Sequence, residues 1–295
     1  VMFGDPFQLA PVPPSDPDER AYFRDHYRSL WFFDAKVWQE AELRIHALRE
    51  IHRQHEDEFK SILTAVRYGQ VTADMANRLN TVGARPAPLD GTITLASRNA
   101  QVSRINAQNL ERLPGASMTA NADISGEFGG RNFPADERLD LKVGAQVMFL
   151  RNDSDGRWVN GSIGEVTRID KTVYVEIDGD EHEVEPLVWE KLKYSYSPDT
   201  RELSRDVVGE FTQFPLRLAW AVTIHKSQGK TYDRAVVDLG ARAFSPGQTY
   251  VALSRIRALE GLHLSRPLQP NDIFVDENVL RFMKSVSEAA KQQQG

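Results

Sequence analysis

The sequence predicts an α/β fold: a parallel-sheet domain interrupted by a small antiparallel β-barrel. Three observations point there. Residues 91–96 read as a strand, 97–99 as a polar turn and 101–113 as a helix, a unit of the α/β kind. Short β-type runs at 143–150, 164–169 and 172–177 follow. They are punctuated by Asn152-Asp-Ser-Asp-Gly156, Asn160-Gly161 and Asp178-Gly179, the pattern of a small antiparallel barrel. After Phe214 the α/β pattern returns, with strand-like stretches at 220–224 and 235–239 and a helix starting within 247–253.

The other elements follow in chain order. Residues 1–5 read as the end of a buried strand. Residues 11–17 are rich in Pro, Ser and Asp, so no helix continues there. Trp31, Phe32, Phe33 and Trp38 mark 30–38 as a short helix packed on the core, and 43–48 reads as a strand. In 57–68, Phe59, Ile62, Leu63 and Val66 recur at a helical period, with Gly69 as the stop. A second helix covers 72–80. The tail, 276–294, is an amphipathic helix that frays. No internal repeat is present, and low complexity is confined to Gln292-Gln-Gln294.

A chain of 295 residues holds about two domains at ~150 residues each. Its 41% hydrophobic and 26% charged residues are those of an ordinary globular protein. No run of 18 apolar residues exists, so no membrane span is expected. Val1-Met2-Phe3 begins no signal peptide, although an upstream start would hide one. With no cysteine, disulfides and thiolate metal sites are excluded, and a reducing compartment fits. The net charge of −6 is unusual for a nucleic-acid binder, but it is unevenly spread. Residues 213–268 hold eight Lys/Arg against three Asp/Glu, whereas 176–190 holds seven acidic residues. A basic face beside an acidic lobe suits a protein that grips a strand on one side; a solvated, uneven surface is the alternative.

Three blocks carry the chemistry. The chain opens on Phe3-Gly-Asp-Pro-Phe-Gln-Leu-Ala-Pro-Val12. Later come Trp220-Ala-Val-Thr-Ile-His-Lys-Ser-Gln-Gly-Lys-Thr231 and Tyr250-Val-Ala-Leu-Ser-Arg255. Each sets polar groups at a strand end, where a nucleotide phosphate can be read. In this order they resemble the later half of the Pif-type and RecD-type DNA helicases of superfamily 1. Leu141-Lys-Val-Gly-Ala-Gln-Val-Met148 and Val159-Asn-Gly-Ser-Ile-Gly-Glu-Val166 match the family's inserted Src-homology-type barrel. The likeness covers nearly the whole chain and is weakest over 112–138 and after 266.

The resemblance implies a RecA-like fold. Residues 1–40 would be the tail of a first RecA-like domain. Residues 41–139 and 213–295 would form a discontinuous second one, with 140–212 as the inserted barrel. It implies an ATP-dependent helicase that uses Mg²⁺ and steps 5′ to 3′ along single-stranded DNA up to duplex junctions, as a monomer. The expected compartment is the cytoplasm in a bacterium, or the nucleus or mitochondrion in a eukaryote. Such a motor needs a Gly-x-x-x-x-Gly-Lys-Ser/Thr phosphate loop and an acidic strand end for Mg²⁺. The single Gly-Lys-Thr here, Gly229-Lys230-Thr231, would need its first glycine at Ile224, so it is a decoy. Val1 lies mid-strand on this reading. The simplest expectation is a piece cut between the metal-binding strand and the Gly-Asp-x-x-Gln turn, with most Mg²⁺ ligands upstream.

Residue roles carry over by motif. Gln8 would sense the γ-phosphate or its attacking water, since its amide both donates and accepts. Gly4 and Asp5 would shape its turn. Arg53, in Ile51-His-Arg-Gln54, and Arg255 match the two arginines that the family points at the triphosphate. An arginine fork is always charged and binds phosphate bidentately. Gln228 and Gly229 would let the backbone approach the nucleotide. Thr223 and His225 would meet the strand, and Lys226 either the strand or the nucleotide; Ser97, Arg98 and Asn99 would meet the strand through its backbone. Asn160 is a further DNA candidate, equally readable as an Asn-Gly hairpin. His46, His52, His55 and Glu56 form no metal-ligand spacing, so no metal site is expected. A relaxase-linked or RecD-type exonuclease helicase, or a non-catalytic nucleic-acid-binding module, remain the alternatives.

Overall fold

The computed structural model describes every residue except 42, 49, 89–90, 129–132, 198–201 and 293–295. Its elements follow from local sequence. Helix α1 (Pro17–His26) starts where the Asp16 carboxylate accepts the backbone N–H groups of Asp18 and Glu19. After a 3-10 turn at Phe32–Asp34 comes the short α2 (Lys36–Glu40). Helix α3 (Asp57–Tyr68) buries Phe59, Ile62, Leu63 and Val66 along one face, and stops at Gly69 with φ of 69°. Helix α4 (Ala73–Gly83) is capped by the Thr72 hydroxyl, which accepts from Met75 N–H.

Then follow β1 (Ile93–Ala96), α5 (Asn99–Arg112), β2 (Met118–Asn121), β3 (Asp123–Gly126), β4 (Arg138–Leu141) and β5 (Gln146–Phe149). Next come β6 (Ile163–Ile169), β7 (Val173–Ile177), β8 (Asp180–Val184), β9 (Leu187–Ser197), β10 (Glu202–Gln213) and β11 (Leu216–Leu218). The chain finishes with β12 (Ala221–Thr223), β13 (Ala235–Asp238), α6 (Gln248–Ser254), β14 (Leu262–Leu264) and α7 (Glu277–Gln292).

The chain divides into two compact units, 1–101 with 222–295, and 102–221. The first is α/β. Its sheet has the order β12-β1-β13-β14, with β1–β13 and β13–β14 parallel. Ile93, Leu95, Ala235, Val237 and Leu262 are all buried, and alternate residues of β1 and β13 place their buried side chains on one face of the sheet. A second apolar cluster joins Phe7, Trp31 and Phe33 to Val279 of α7. There Phe282 stacks on Phe33 at 4.4 Å, and Trp31 Nε1 donates to Asp276 at 3.0 Å.

The second unit is mostly antiparallel. Five strands run β11-β5-β6-β7-β8, beside a three-stranded β3-β10-β9 sheet and a β2–β4 pair. No ladder joins β8 to β11 among the described residues. Leu139, Leu141, Phe149, Trp158, Val175 and Leu216 form its core, with Leu110 of α5 and Leu113 just after it packed on it. The β7–β8 turn is Asp178-Gly179, both with positive φ (53° and 95°), the two-residue hairpin turn its sequence announces.

Two expected elements do not form. Residues 1–5 are no strand, and Val1, Met2 and Phe3 are exposed. Residues 43–48 are irregular, with Leu43, Ile45 and Leu48 exposed. In both cases no neighbouring strand among the described residues offers a backbone ladder.

One ion pair fixes the 240–274 loops. Asp272, 2% exposed, accepts both Arg266 guanidinium nitrogens at 2.7 and 2.8 Å. It also accepts the N–H groups of Ala243 (3.1 Å) and Gln269 (2.8 Å). Burial alone would raise its pKa, but Arg266 and these N–H groups outweigh it and hold the carboxyl below its ordinary value. A depressed carboxyl stabilises the fold above its unfolded pKa of about 4, and that stability fades as pH falls further. Asp272→Ala strands the Arg266 charge. It should cost about 3–5 kcal/mol and lower the thermal midpoint by roughly 10 °C at pH 7. A variant that melts with the wild type would show the pair to be idle.

Candidate functional site

The Gly-Asp-x-x-Gln turn is built around Asp5. Its backbone carbonyl accepts Gln8 N–H at 3.1 Å and its carboxylate accepts Phe7 N–H at 3.2 Å. The same carboxylate takes Arg67 Nη2 at 2.9 Å and the Tyr250 hydroxyl at 3.0 Å. Arg67 also lies 4.6 Å from the Phe7 ring. Burial, reinforced by Asp5, pushes the Tyr250 phenol well above its ordinary pKa, so it stays a protonated donor. The first turn of α6 fits beneath. A Cβ on Gly247 would stand 2.4 Å from the Phe7 carbonyl oxygen and 2.8 Å from that of Gln8. Gly4 beside the turn is exposed.

The turn brings Gln8 to the second block, where its Oε1 accepts Gln228 Nε2 at 3.3 Å. Residues 223–229 hold themselves in place. Thr223 Oγ1 accepts Lys226 N–H at 3.2 Å, and the buried Ser227 hydroxyl donates to Ile224 O at 2.7 Å. Gly229 has φ of 80°, and a Cβ there would meet nothing within 4 Å, so its backbone faces open space. That is where a backbone can come close to a phosphate. Burial lowers the His225 pKa, so its imidazole is neutral at pH 7.

Arg255 is the most unusual group of the site. Its side chain, at the end of α6, is 2% exposed. Among the described residues its guanidinium donates only to neutral atoms: Val251 O (3.1 Å), Lys230 O (3.4 Å) and Ser254 Oγ (2.8 Å). Burial, then repulsion from Arg53, brings its pKa down to about 10, so it still carries its charge at pH 7. Arg53 Nη1 donates to Ser254 O at 3.0 Å, and the buried Gln54 amide donates to Ser254 O and Ile256 O. Two arginines thus meet with no carboxylate in an ion pair with either among the described residues. Buried charge is costly without a counter-ion, and an anionic ligand would supply one.

The strand-facing candidates divide. Arg98 and Asn99 are exposed just past β1, whereas Ser97 is buried, its N–H donating to Asp238 O at 3.0 Å. His225 is half-buried and Lys226 exposed, while Thr223 is buried with its hydroxyl serving the turn. Asn160 lies in the second unit, exposed, with its N–H donating to Asn152 Oδ1 at 2.7 Å. Among the described residues no group of His, Asp and Glu side chains could hold a metal ion.

Comparison with known proteins follows this geometry. Residues 130–169 match the family model for the 2B domain of DNA helicase Pif1. An ATP-dependent DNA helicase Pif1 of Bdellovibrio bacteriovorus is 34% identical over 260 residues, 86% of this chain and 57% of that protein. The crystal structure of Bacteroides sp Pif1 in complex with ADP-AlF4 superposes with a TM-score of 0.82 at 35% identity, covering 98% of this chain and 67% of that one. The chain belongs to the Pif1 helicase family. A second Bacteroides Pif1 structure, in complex with ADP-AlF3 and single-stranded DNA, gives a TM-score of 0.74 at 35% identity, covering 97% and 66%. The chain spans little more than half the length of the Bdellovibrio relative.

For this Pif1-family chain, the motifs single out Gln8, Gln228, Arg53 and Arg255 as candidates but not the groups that seat them. Arg67, Gln54, Tyr250 and Gly247 had no assigned role. Gln54 and Tyr250 stand inside quoted blocks, which was the available signal. Arg67 carries no local signal.

Proposed function

We propose that this chain is part of an ATP-dependent DNA helicase that couples ATP hydrolysis to 5′-to-3′ movement on single-stranded DNA and to duplex unwinding. The observation that carries the reading is the buried Arg255 beside Arg53, cationic and in no ion pair with a carboxylate among the described residues, on the helix that seats the Gln8 turn. Phosphoryl transfer asks a protein for positioning and charge neutralisation more than for covalent chemistry. Arg53 and Arg255 would neutralise charge growing on the phosphate oxygens, and Gln8 would orient the attacking water. Gln228 and the open Gly229 backbone would admit the nucleotide. Mg²⁺ would supply further neutralisation at the phosphates; no side chain described here is assigned to it.

In the same reading, residues 1–40 close a first RecA-like domain, and 41–139 with 213–295 make a second. Residues 140–212 make a small inserted barrel that holds or parts the strands. Arg98, Asn99, His225 and Lys226 line the strand path at the ends of β1 and β12, contacting phosphates without choosing sequence. The motor works as a monomer at junctions of single and double strand, in whichever compartment holds the DNA.

Two measurements test it. Full-length protein should release phosphate from ATP only slowly until single-stranded DNA is added, and should open duplexes bearing a 5′ tail but not a 3′ tail. A polypeptide of residues 1–295 should show no turnover, because no phosphate loop lies within it. DNA-independent turnover by full-length protein, with neither tail supporting unwinding, would overturn the reading.

A further inference from the structure

We propose that the groove lined by Arg242, Phe244, Pro270, Asn271 and Phe274 receives one nucleobase of a bound single strand, stacked on the Phe244 ring. This rests on the single-strand reading above and adds to it a site that touches bases. The groove encloses about 540 Å³, the scale of a small-molecule pocket. Two of its walls are aromatic and open: Phe244 is 47% exposed and Phe274 36%. Single exposed apolar residues are ordinary; here two rings share one groove and offer flat faces for stacking.

The backbone keeps the Phe244 ring outward. Ala243 is buried with its N–H on the Asp272 carboxylate at 3.1 Å, and Phe244 N–H donates to Gln248 Oε1 at 3.1 Å. Pinned on both sides, the segment cannot turn the ring inward without losing these bonds. The Arg98 guanidinium lies 5.1 Å from the ring centroid. A guanidinium beside an aromatic face serves a nucleotide twice, since it stacks with bases and pairs with phosphate.

Charge selects the occupant. Arg242 is exposed and has no ion-pair partner among the described residues, and no carboxylate lines the groove. An apolar peptide would leave both cations unanswered, whereas a strand of nucleic acid brings a phosphate with every base. The groove also adjoins Arg98, directly after β1, where the strand path is proposed. Stacking tolerates any base because each has a π face, as a translocating motor requires.

The test uses the full-length protein and two strands of equal length, oligothymidylate and an abasic strand that keeps only sugar and phosphate. Affinities are read by fluorescence anisotropy at fixed salt. Phe244→Ala should weaken oligothymidylate binding by about 5- to 100-fold and change abasic-strand binding by less than about twofold. Phe244→Leu keeps apolar volume without a π face and should behave like Phe244→Ala; Phe244→Trp should restore binding. Equal losses on both strands, or no loss on either, would overturn the base site and leave the single-strand reading standing. Unchanged affinity with an altered oligomeric state would mark the groove as a protein contact and equally overturn it. If wild-type protein binds neither strand, the single-strand reading fails, and the base site with it.

Discussion

Arg255→Ala in the full-length protein should lower DNA-stimulated ATP turnover by about a thousandfold, while single-strand affinity stays within about threefold of wild type. The asymmetry follows from where the guanidinium sits. It is buried, close to Arg53, and its donors end on carbonyl and hydroxyl oxygens that bring no negative charge. In such a place a cation is worth most when charge grows on a phosphate oxygen, since little water screens it. The strand-facing candidates, Arg98, Asn99, His225 and Lys226, lie at the ends of β1 and β12, whereas Arg255 ends α6. Arg255→Lys separates charge from shape. It keeps one positive charge but loses the planar fork, so it should recover only part of the turnover. Truncation also leaves a buried gap, so thermal melts must accompany the kinetics. Near-normal turnover with lost DNA binding would assign Arg255 to the strand and sink the phosphate role.

What the sequence made legible was what depends on neighbours in sequence. Helix α3 appears at its expected bounds because four apolar residues at a helical period and a glycine stop are local facts. The Asp178-Gly179 hairpin is likewise set by two residues. Residues 43–48 show the limit. Leu43, Ile45 and Ala47 alternate with polar residues, yet a strand exists only when another lies beside it. The sheet of that unit is made from β12, β1, β13 and β14, and among the described residues 43–48 ladders with neither edge strand.

The site divides in the same way. Gln8, Gly229 and Arg255 were visible because their chemistry is written within short blocks. Their seating was not. Asp5 is joined to Arg67 across 62 positions and to Tyr250 across 245. No spacing rule reaches that far, and neither partner type is distinctive alone. Thr223 was visible as a polar residue in the right block, but burial and its bond to Lys226 N–H give it a structural task that the block does not announce.

Gly247→Ala should lower ATP turnover roughly a hundredfold although the residue touches neither nucleotide nor DNA in the proposed mechanism. Gly247 caps α6 with φ of 73°, and a methyl group there would lie 2.4 Å from Phe7 O and 2.8 Å from Gln8 O. Those oxygens belong to backbone, so the turn itself must move. A displacement of about 1 Å is enough to cost about two orders of magnitude when a group must hold a water in line with a phosphate. Left-handed strain adds about 1–2 kcal/mol of lost stability, and that part needs its own control. Gly156→Ala supplies it: φ there is 76°, and the new Cβ would meet nothing within 4 Å. That variant should lose comparable stability and keep its turnover. The Asp5 bonds to Arg67 and Tyr250 should hold the displaced turn near α6, so Gly247→Ala is expected to remain folded and to bind single strands. Turnover at the wild-type rate in Gly247→Ala would mean either that the turn moves without consequence or that Gln8 does not act on the phosphate. Gln8→Ala then separates the two, since it removes the amide and leaves the turn in place.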